Sequence, residues 1–468
     1  MAAEAPARRR TLAALAAFKP PSGKAWEGLP PGPRGRPVVG CALDYMRDPL
    51  GTLTRAHRAY GRTLTMSWFG YPLVLLIGPE GNRLVLSEQP RNFLWRPALY
   101  SLIPLLGEGL LVTDGDLHDR LRRLVLPVFQ RGRVDSYVPI MWDYATQFVD
   151  RWQPGQVFDV DAAMRALTLQ IAGRTIFGID LVGDRDELMR GFRGTAEYSR
   201  LPWPFNLLRL NLPFTAWGQF VRARDELDRF LYRLIDEKAA ASGATNRDDA
   251  LSALLDARDE DGSRLTRRQV RDQAVTLLAA GHDTTAHALT WTLYLLARHP
   301  AALQRVLAEQ QAVLGGAAPT PDTLRRLVYL EMVAKEALRL YPPAWAGARV
   351  TATEIHYQGY RIPPGTSVVY SQWLSHRLPE IFHDPLVFRP ERFDPAHGEE
   401  HPPFAYVPFG GGARLCLGMT FALQELKVVL SALFARWRLA LEPGQRVVPR
   451  PVVTLVPREP ILMRVEAA

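Results

Sequence analysis

The chain has two cysteines, Cys41 and Cys416, almost its whole length apart, and the second has a setting suited to metal chemistry. The segment Phe409-Gly410-Gly411-Gly412-Ala413-Arg414-Leu415-Cys416-Leu417-Gly418 places three consecutive glycines ahead of the thiol. Such a run turns tightly and lets the backbone approach a flat ligand without Cβ clashes. Helical periodicity from Met419 to Trp437 puts the sulfur at a helix N-terminus, where the dipole and unpaired N–H groups favour a thiolate, the metal-binding form. Arg414 is suited to pair with an anionic group on a ligand. Taken alone, a single cysteine is more often a small buried hydrophobe, and a glycine run is more often only a loop.

Three further groups have chemically suggestive spacing. Ala280-Gly281-His282-Asp283-Thr284-Thr285 lies inside an apolar helical stretch, which fits poorly with a solvated face. There the Thr284 hydroxyl can bond back to the Ala280 carbonyl and open the helix locally, Gly281 leaves space, and Asp283 can relay protons. Glu336 and Arg339 share a helical face, as do His118 and Arg122. Either pair alone carries little weight, because most such pairs decorate solvated helices.

In combination and in this order, these elements resemble the cytochrome P450 superfamily. Phe409, Gly412, Arg414, Cys416 and Gly418 match its cysteine loop at all five positions. Glu336-Ala337-Leu338-Arg339 matches its Glu-x-x-Arg element, and Pro390-Glu391-Arg392-Phe393 its Pro-Glu-Arg-Phe element. The resemblance runs from about Leu29 to Val465. It implies a mainly α fold with a small β-region, a triangular single domain around a buried haem b (iron protoporphyrin IX), with Cys416 as the iron's thiolate ligand. A thiolate pushes electron density to haem iron and favours O–O cleavage. The resemblance further implies catalytic roles for Asp283 and Thr284, and haem contacts from Ala280, Gly281, Phe409, Gly410, Arg414 and Gly418. His118, Arg122 and Arg349 are implied propionate partners, with His376 a further candidate. Glu336, Arg339 and Arg392 form its structural ion network. The substrate pocket falls to Leu105, Leu106, Leu110, Leu111, Ala280, Thr284, Ala344, Trp345 and Leu455, an almost wholly apolar set that suits a hydrophobic small molecule. Fatty acids, terpenoids, steroids and polyketides all fit it.

The implied activity is that of a monooxygenase fed by a separate ferredoxin or flavodoxin, steered to Arg120, Arg123, Arg131 and Arg133. The intact Asp283-Thr284 pair argues against the branch that uses peroxide. Two rivals remain open: a haem-thiolate isomerase, dehydratase or peroxide-using enzyme working without a redox partner, and a non-catalytic haem-binding sensor.

Other segments must position these residues. The longest helix is expected from Arg267 to Arg298, opened by a Thr266/Gln269 capping box and closed at His299-Pro300. About 32 residues at 1.5 Å each give a rod of roughly 48 Å, long enough to cross a domain. Strands are expected at Leu64–Trp68, Leu73–Ile77, Ile355–Ile362 and Ser367–Tyr370, with a C-terminal hairpin over Val453–Val465. Leu29-Pro30-Pro31-Gly32-Pro33 reads as a stiff extended connector between a tail (1–28) and the enzyme domain (29–468). Trp203 to Phe214, rich in Trp, Phe, Leu and Pro, reads as a pocket lid, a membrane contact or core.

The whole chain sets broad bounds. It has 468 residues, net charge +9 and 47% hydrophobic content, enough for a large core. The basic excess is nearly all Arg but forms no concentrated tract, so nucleic acid is not an expected partner. Two distant cysteines fit a reducing, cytoplasmic setting. Arg8, Arg9 and Arg10 before Leu12–Phe18 imitate a signal sequence, but the apolar run is at the short limit. No run reaches spanning length, and a monomer is expected.

Overall fold

In the computed structural model, the structure describes residues 26–180, 195, 198, 209–240 and 248–467. The Leu12–Phe18 run lies outside these residues, as does the first half of Trp203–Phe214. A small sheet gathers near the N-terminus, and helices make up most of the rest. Strands β1 (Thr63–Trp68) and β2 (Tyr71–Leu76) form the expected hairpin. With β3 (Phe93–Leu94), β4 (Gly347–Thr351) and β5 (Ser367–Tyr370) they order as β1-β2-β5-β4-β3, the β2–β5 pair being parallel. The proline-rich connector runs beside β1, which donates from Thr65 N to Pro31 O and from Ser67 N to Pro33 O.

Six helices carry the argument: α1 (Gly115–Val125), α2 (Val160–Phe177), α3 (Ala216–Ala240), α4 (Arg267–Arg298), α5 (Val328–Leu340) and α6 (Met419–Arg436). Helix α4 has the expected bounds. Thr266 and Gln269 form the reciprocal capping box at its start, and His299 caps its end before Pro300. It packs against α2, α3, α5 and α6, so the run Thr285–Leu296 is buried on every side. The largest core cluster gathers α4 with α5 and α6 around Trp291, Leu330 and Leu430.

The C-terminal expectation needs correction. Val453–Val465 does not fold on itself. Leu455–Pro457 pairs with Pro449–Pro451, and Leu462–Ala467 pairs with both Trp437–Leu441 and Val157–Asp159. Alternating apolar residues show that a segment is a strand but not which strand it joins. Among the described residues no helix is long and apolar enough to cross a membrane.

Candidate active site

The loop before Cys416 is closed by its own backbone: Gly410 N bonds to Val407 O, Leu415 N to Gly412 O, and Cys416 N to Phe409 O at 3.0 Å. Gly410 and Gly412 both have positive φ, +72° and +59°, where a side chain is strained. A Cβ on Gly412 would also collide with the Leu86 carbonyl. One of the three glycines therefore serves packing against the Leu84–Glu88 turn, not only approach to a ligand. Phe409 packs on the main core cluster.

Cys416 is surface-accessible, but protein surrounds it closely. Burial raises its thiol pKa, opposed by a hydrogen bond from the Gly418 N–H and by the charge of Arg122. Helix α6 begins at Met419, so the thiol lies where expected; the helix end does not outweigh desolvation. Thiolate is the form in which a cysteine ligates a metal, and a bound cation favours it.

Helix α4 crosses with its middle partly open. Ala280 is exposed and Thr284 half-buried just before the run Thr285–Leu296 that is wholly buried, and a Cβ on Gly281 would meet nothing within 4 Å. The Thr284 hydroxyl donates to the Ala280 carbonyl at 2.7 Å, and Thr285 to the Gly281 carbonyl at 3.0 Å. These bonds take up two helix carbonyls on one turn. Asp283 Oδ1 lies 3.2 Å from His282 Nδ1, and His282 Nε2 lies 3.1 Å from the Arg165 carbonyl on α2. Asp283 is thereby linked through His282 to a neighbouring helix. Glu425 on α6 went unnoticed in the sequence. It is fully buried and hydrogen-bonded with Thr285, burial pushes its carboxyl well above the usual range, and its Oε1 has no partner among the described residues. The available signal was an acidic residue in a core-facing helical run.

A second group of side chains lies between α1 and the sheet. Arg349 on β4 is 2% exposed; it bonds the Ala348 carbonyl at 2.7 Å and the Tyr370 hydroxyl at 3.3 Å, and stacks 3.4 Å from the Trp95 ring centroid. Arg414 lies 5.2 Å from the same ring, bonding the Thr113 carbonyl at 2.7 Å and Asp114 Oδ1 at 2.9 Å. Burial lowers its pKa to about 10, and Arg349 adds repulsion. His118 is buried, with Nδ1 2.9 Å from Asp119 Oδ1; its pKa is lowered by burial, and the charges of Arg414 and Arg122 add to that. Two arginines and a histidine thus converge in a poorly solvated place, where Asp114 is hydrogen-bonded to Arg414 but not to Arg349. Such an arrangement fits an anionic ligand group. Trp95 was not foreseen; a tryptophan beside two sequence-distant arginines becomes meaningful only once the fold joins them.

Other predicted residues fall elsewhere. Arg122 bonds the Leu415 carbonyl at 2.9 Å and so braces the cysteine loop. His376 is completely buried and accepts from Val407 N through Nε2 at 2.9 Å, which ties it to the loop's approach rather than to the arginines. Glu336 receives Arg339 Nε and Nη2 at 2.7 and 2.8 Å and Arg392 Nε at 3.0 Å, all fully buried. Leu105 and Leu106 are buried, while Leu110 and Leu111 are partly so, in one cluster with the first half of α4. Ala344 is exposed. Trp345 packs toward the β1–β2 side and donates to the Val452 carbonyl, and Leu455 is fully buried. The basic face is partly taken up by local pairing. Arg120 and Arg123 are tied to Asp259, and Arg123 also approaches Glu260; Arg133 bonds the Asp248 and Asp249 carbonyls, and Arg131 is exposed. Where Trp203–Phe214 is described, Leu210, Leu212 and Phe214 are exposed, unlike core.

A family model of cytochrome P450 matches residues 30–465. The chain belongs to the cytochrome P450 family. It is 35% identical over 427 residues to cyclooctatin synthase of Streptomyces melanosporofaciens, covering 90% of this chain and 92% of that protein. Cyclooctat-9-en-7-ol 5-monooxygenase of the same organism is 34% identical, with 88% and 90% covered. Among solved structures, cyanobacterial CYP120A1 with retinoic acid bound superposes with a TM-score of 0.83 at 30% identity, covering 94% of this chain and 99% of that one. This P450 is a monooxygenase that uses haem with cysteine thiolate ligation. The open middle of α4, the accessible Cys416 and the buried cations around Trp95 fit that cofactor.

Proposed function

We propose that this P450 oxygenates a hydrophobic small molecule of terpenoid type, a polycyclic or polyene hydrocarbon skeleton carrying few polar groups. Cys416 is the iron ligand, and Arg349, Arg414 and His118 hold the propionates. The observation that carries the reading is the 2.7 Å bond from Thr284 to the Ala280 carbonyl beside open space at Gly281. A hydroxyl with Asp283 next to it supports proton delivery at this turn, and Leu106 and Leu110 supply apolar surface. The bound haem supplies oxygen activation. The chain's own residues orient the substrate, restrict water and hold protons at Asp283 Oδ and Thr284 Oγ1. Relatives named for cyclooctat-9-en-7-ol and retinoic acid support the substrate class. Electrons come from an acidic ferredoxin or flavodoxin docking near Arg131, since Arg120 and Arg123 are already engaged.

The test is a spin-state titration of the haem protein with panels of terpenoids, steroids, fatty acids and polyketides, followed by turnover with a ferredoxin or flavodoxin system. Terpenoids giving the largest low-to-high-spin shifts and oxygenated products are expected. A panel in which only fatty acids or polyketides shift the band and turn over would overturn the class. Turnover with no electron donor would overturn the redox-partner reading.

A further inference from the structure

The loop that runs past Leu105, Leu106 and Leu110 is held by more than apolar packing. Four hydrogen bonds from three consecutive side chains fasten its backbone to the first turns of α4. Asp272 Oδ2 accepts from Glu108 N at 2.9 Å, and Gln273 Oε1 accepts from Leu110 N at 2.9 Å. Gln273 Nε2 donates to the Glu108 carbonyl at 3.1 Å, and Arg271 Nη1 to the Leu105 carbonyl at 2.6 Å. Arg271, Asp272 and Gln273 are 4%, 2% and 1% exposed. Polar groups buried so deeply are costly unless satisfied, and here the loop backbone supplies four of their partners. The loop's own sequence suits this closeness. A Cβ on Gly107, at φ +59°, would strike the Asp272 carboxylate, and one on Gly109 would strike the Thr276 hydroxyl. Arg271 also reaches a third element, donating from Nε to Asp228 Oδ1 on α3 at 2.7 Å.

We propose that Arg271, Asp272 and Gln273 are positioning residues that set which ligand shapes the site admits. They fix the Leu105–Leu110 backbone on the same helix that carries Ala280 and Thr284, about 12 and 18 Å further along its axis. The distance between the apolar wall and the oxygen-activating turn is then a property of one rigid rod. This rests on the reading of that loop as the substrate wall. The Arg271–Asp228 link extends the fastening to α3, so α3 and the wall shift as one body.

The test uses the full-length haem protein and needs no turnover. Gln273→Met keeps the side-chain volume, strands no charge and removes the bonds to Glu108 and Leu110. Amide exchange over residues 103–112 should rise about tenfold, the effect of losing one or two net hydrogen bonds, while residues 409–418 stay unchanged. Affinities for imidazole and for bulky phenyl-substituted imidazoles, read from the Soret shift, give the second measurement. Imidazole should bind as before, and the discrimination between small and bulky azoles should narrow at least about fivefold. A haem-containing Gln273→Met protein with unchanged exchange, or with faster exchange but unchanged discrimination, would overturn the proposal. Should that variant fail to retain haem, Asp228→Asn gives the decision: exchange must rise together in α3 and in 103–112, and a rise confined to α3 overturns it. A failed oxygenation assay bears on the substrate reading alone.

Discussion

The Arg349 guanidinium lies 3.4 Å above the Trp95 ring, almost wholly buried, with hydrogen bonds to the Ala348 carbonyl and the Tyr370 hydroxyl. Burial pulls its pKa down, and no carboxylate is hydrogen-bonded to it among the described residues. A cation held this way is organised for an incoming anion. Arg349→Gln should therefore weaken haem retention about tenfold or more, the cost of one charge-assisted bond. Haem transfer to apomyoglobin measures it. Unchanged transfer rates would remove Arg349 from the propionate site.

Glu336 makes a different prediction, since its charge is already balanced by Arg339 and Arg392. Removing one member of a buried pair leaves an uncompensated charge, costing about 3–5 kcal/mol. Glu336→Gln should thus lower thermal stability strongly and lose haem as a consequence. Arg339 also holds the His376 and Pro385 carbonyls at 2.7 Å, so Arg339→Lys, lacking the planar fork, should be nearly as damaging. Unfolding curves of both variants with and without haem check this; stability within 1 kcal/mol of the wild type would count against it.

Much of this was legible in the sequence because it was local. The α4 boundaries follow from Thr266, Gln269 and His299-Pro300, all within a turn of the ends they define. The glycine run marked the cysteine loop, but the reason for Gly412 lies at Leu86, more than 300 residues away. The same distance effect hid Trp95, whose partners come from β4 and the cysteine loop. It also hid the ion-pair partners of Arg120 and Arg123. Charge counted along a helix does not reveal that Asp259 folds back onto it. Leu462–Ala467 was recognisable as a strand, while its two partners were set by packing.

Thr284 and Asp283 separate by what their loss should do. Thr284→Ala removes the hydroxyl bonded to the Ala280 carbonyl and should keep the reduced carbon monoxide spectrum while diverting electrons to hydrogen peroxide. Asp283→Asn keeps the shape but not the ionisable group beside His282. It should slow product formation by about 10²-fold, the low end for a positioned proton-transfer group, with a solvent isotope effect larger than in the wild type. Product per NADPH and the isotope effect are the measurements. Full coupling in Thr284→Ala would remove that residue from its role.

Glu425 gives a pH-dependent prediction with a definite sign. Its folded pKa is raised by burial, so folding favours the protonated form. The stability it contributes is fully present below the unfolded value of about 4.3 and is lost as pH rises towards the folded value. Glu425→Gln carries a permanently neutral group of the same shape and can keep the bond with Thr285. The two proteins should have nearly equal stability at pH 4, and the variant should be the more stable at pH 7. Denaturant unfolding of both haem-containing proteins across that range measures the difference. A gap that stays constant with pH would show that Glu425 is ionised in the folded protein, held by a partner beyond Thr285.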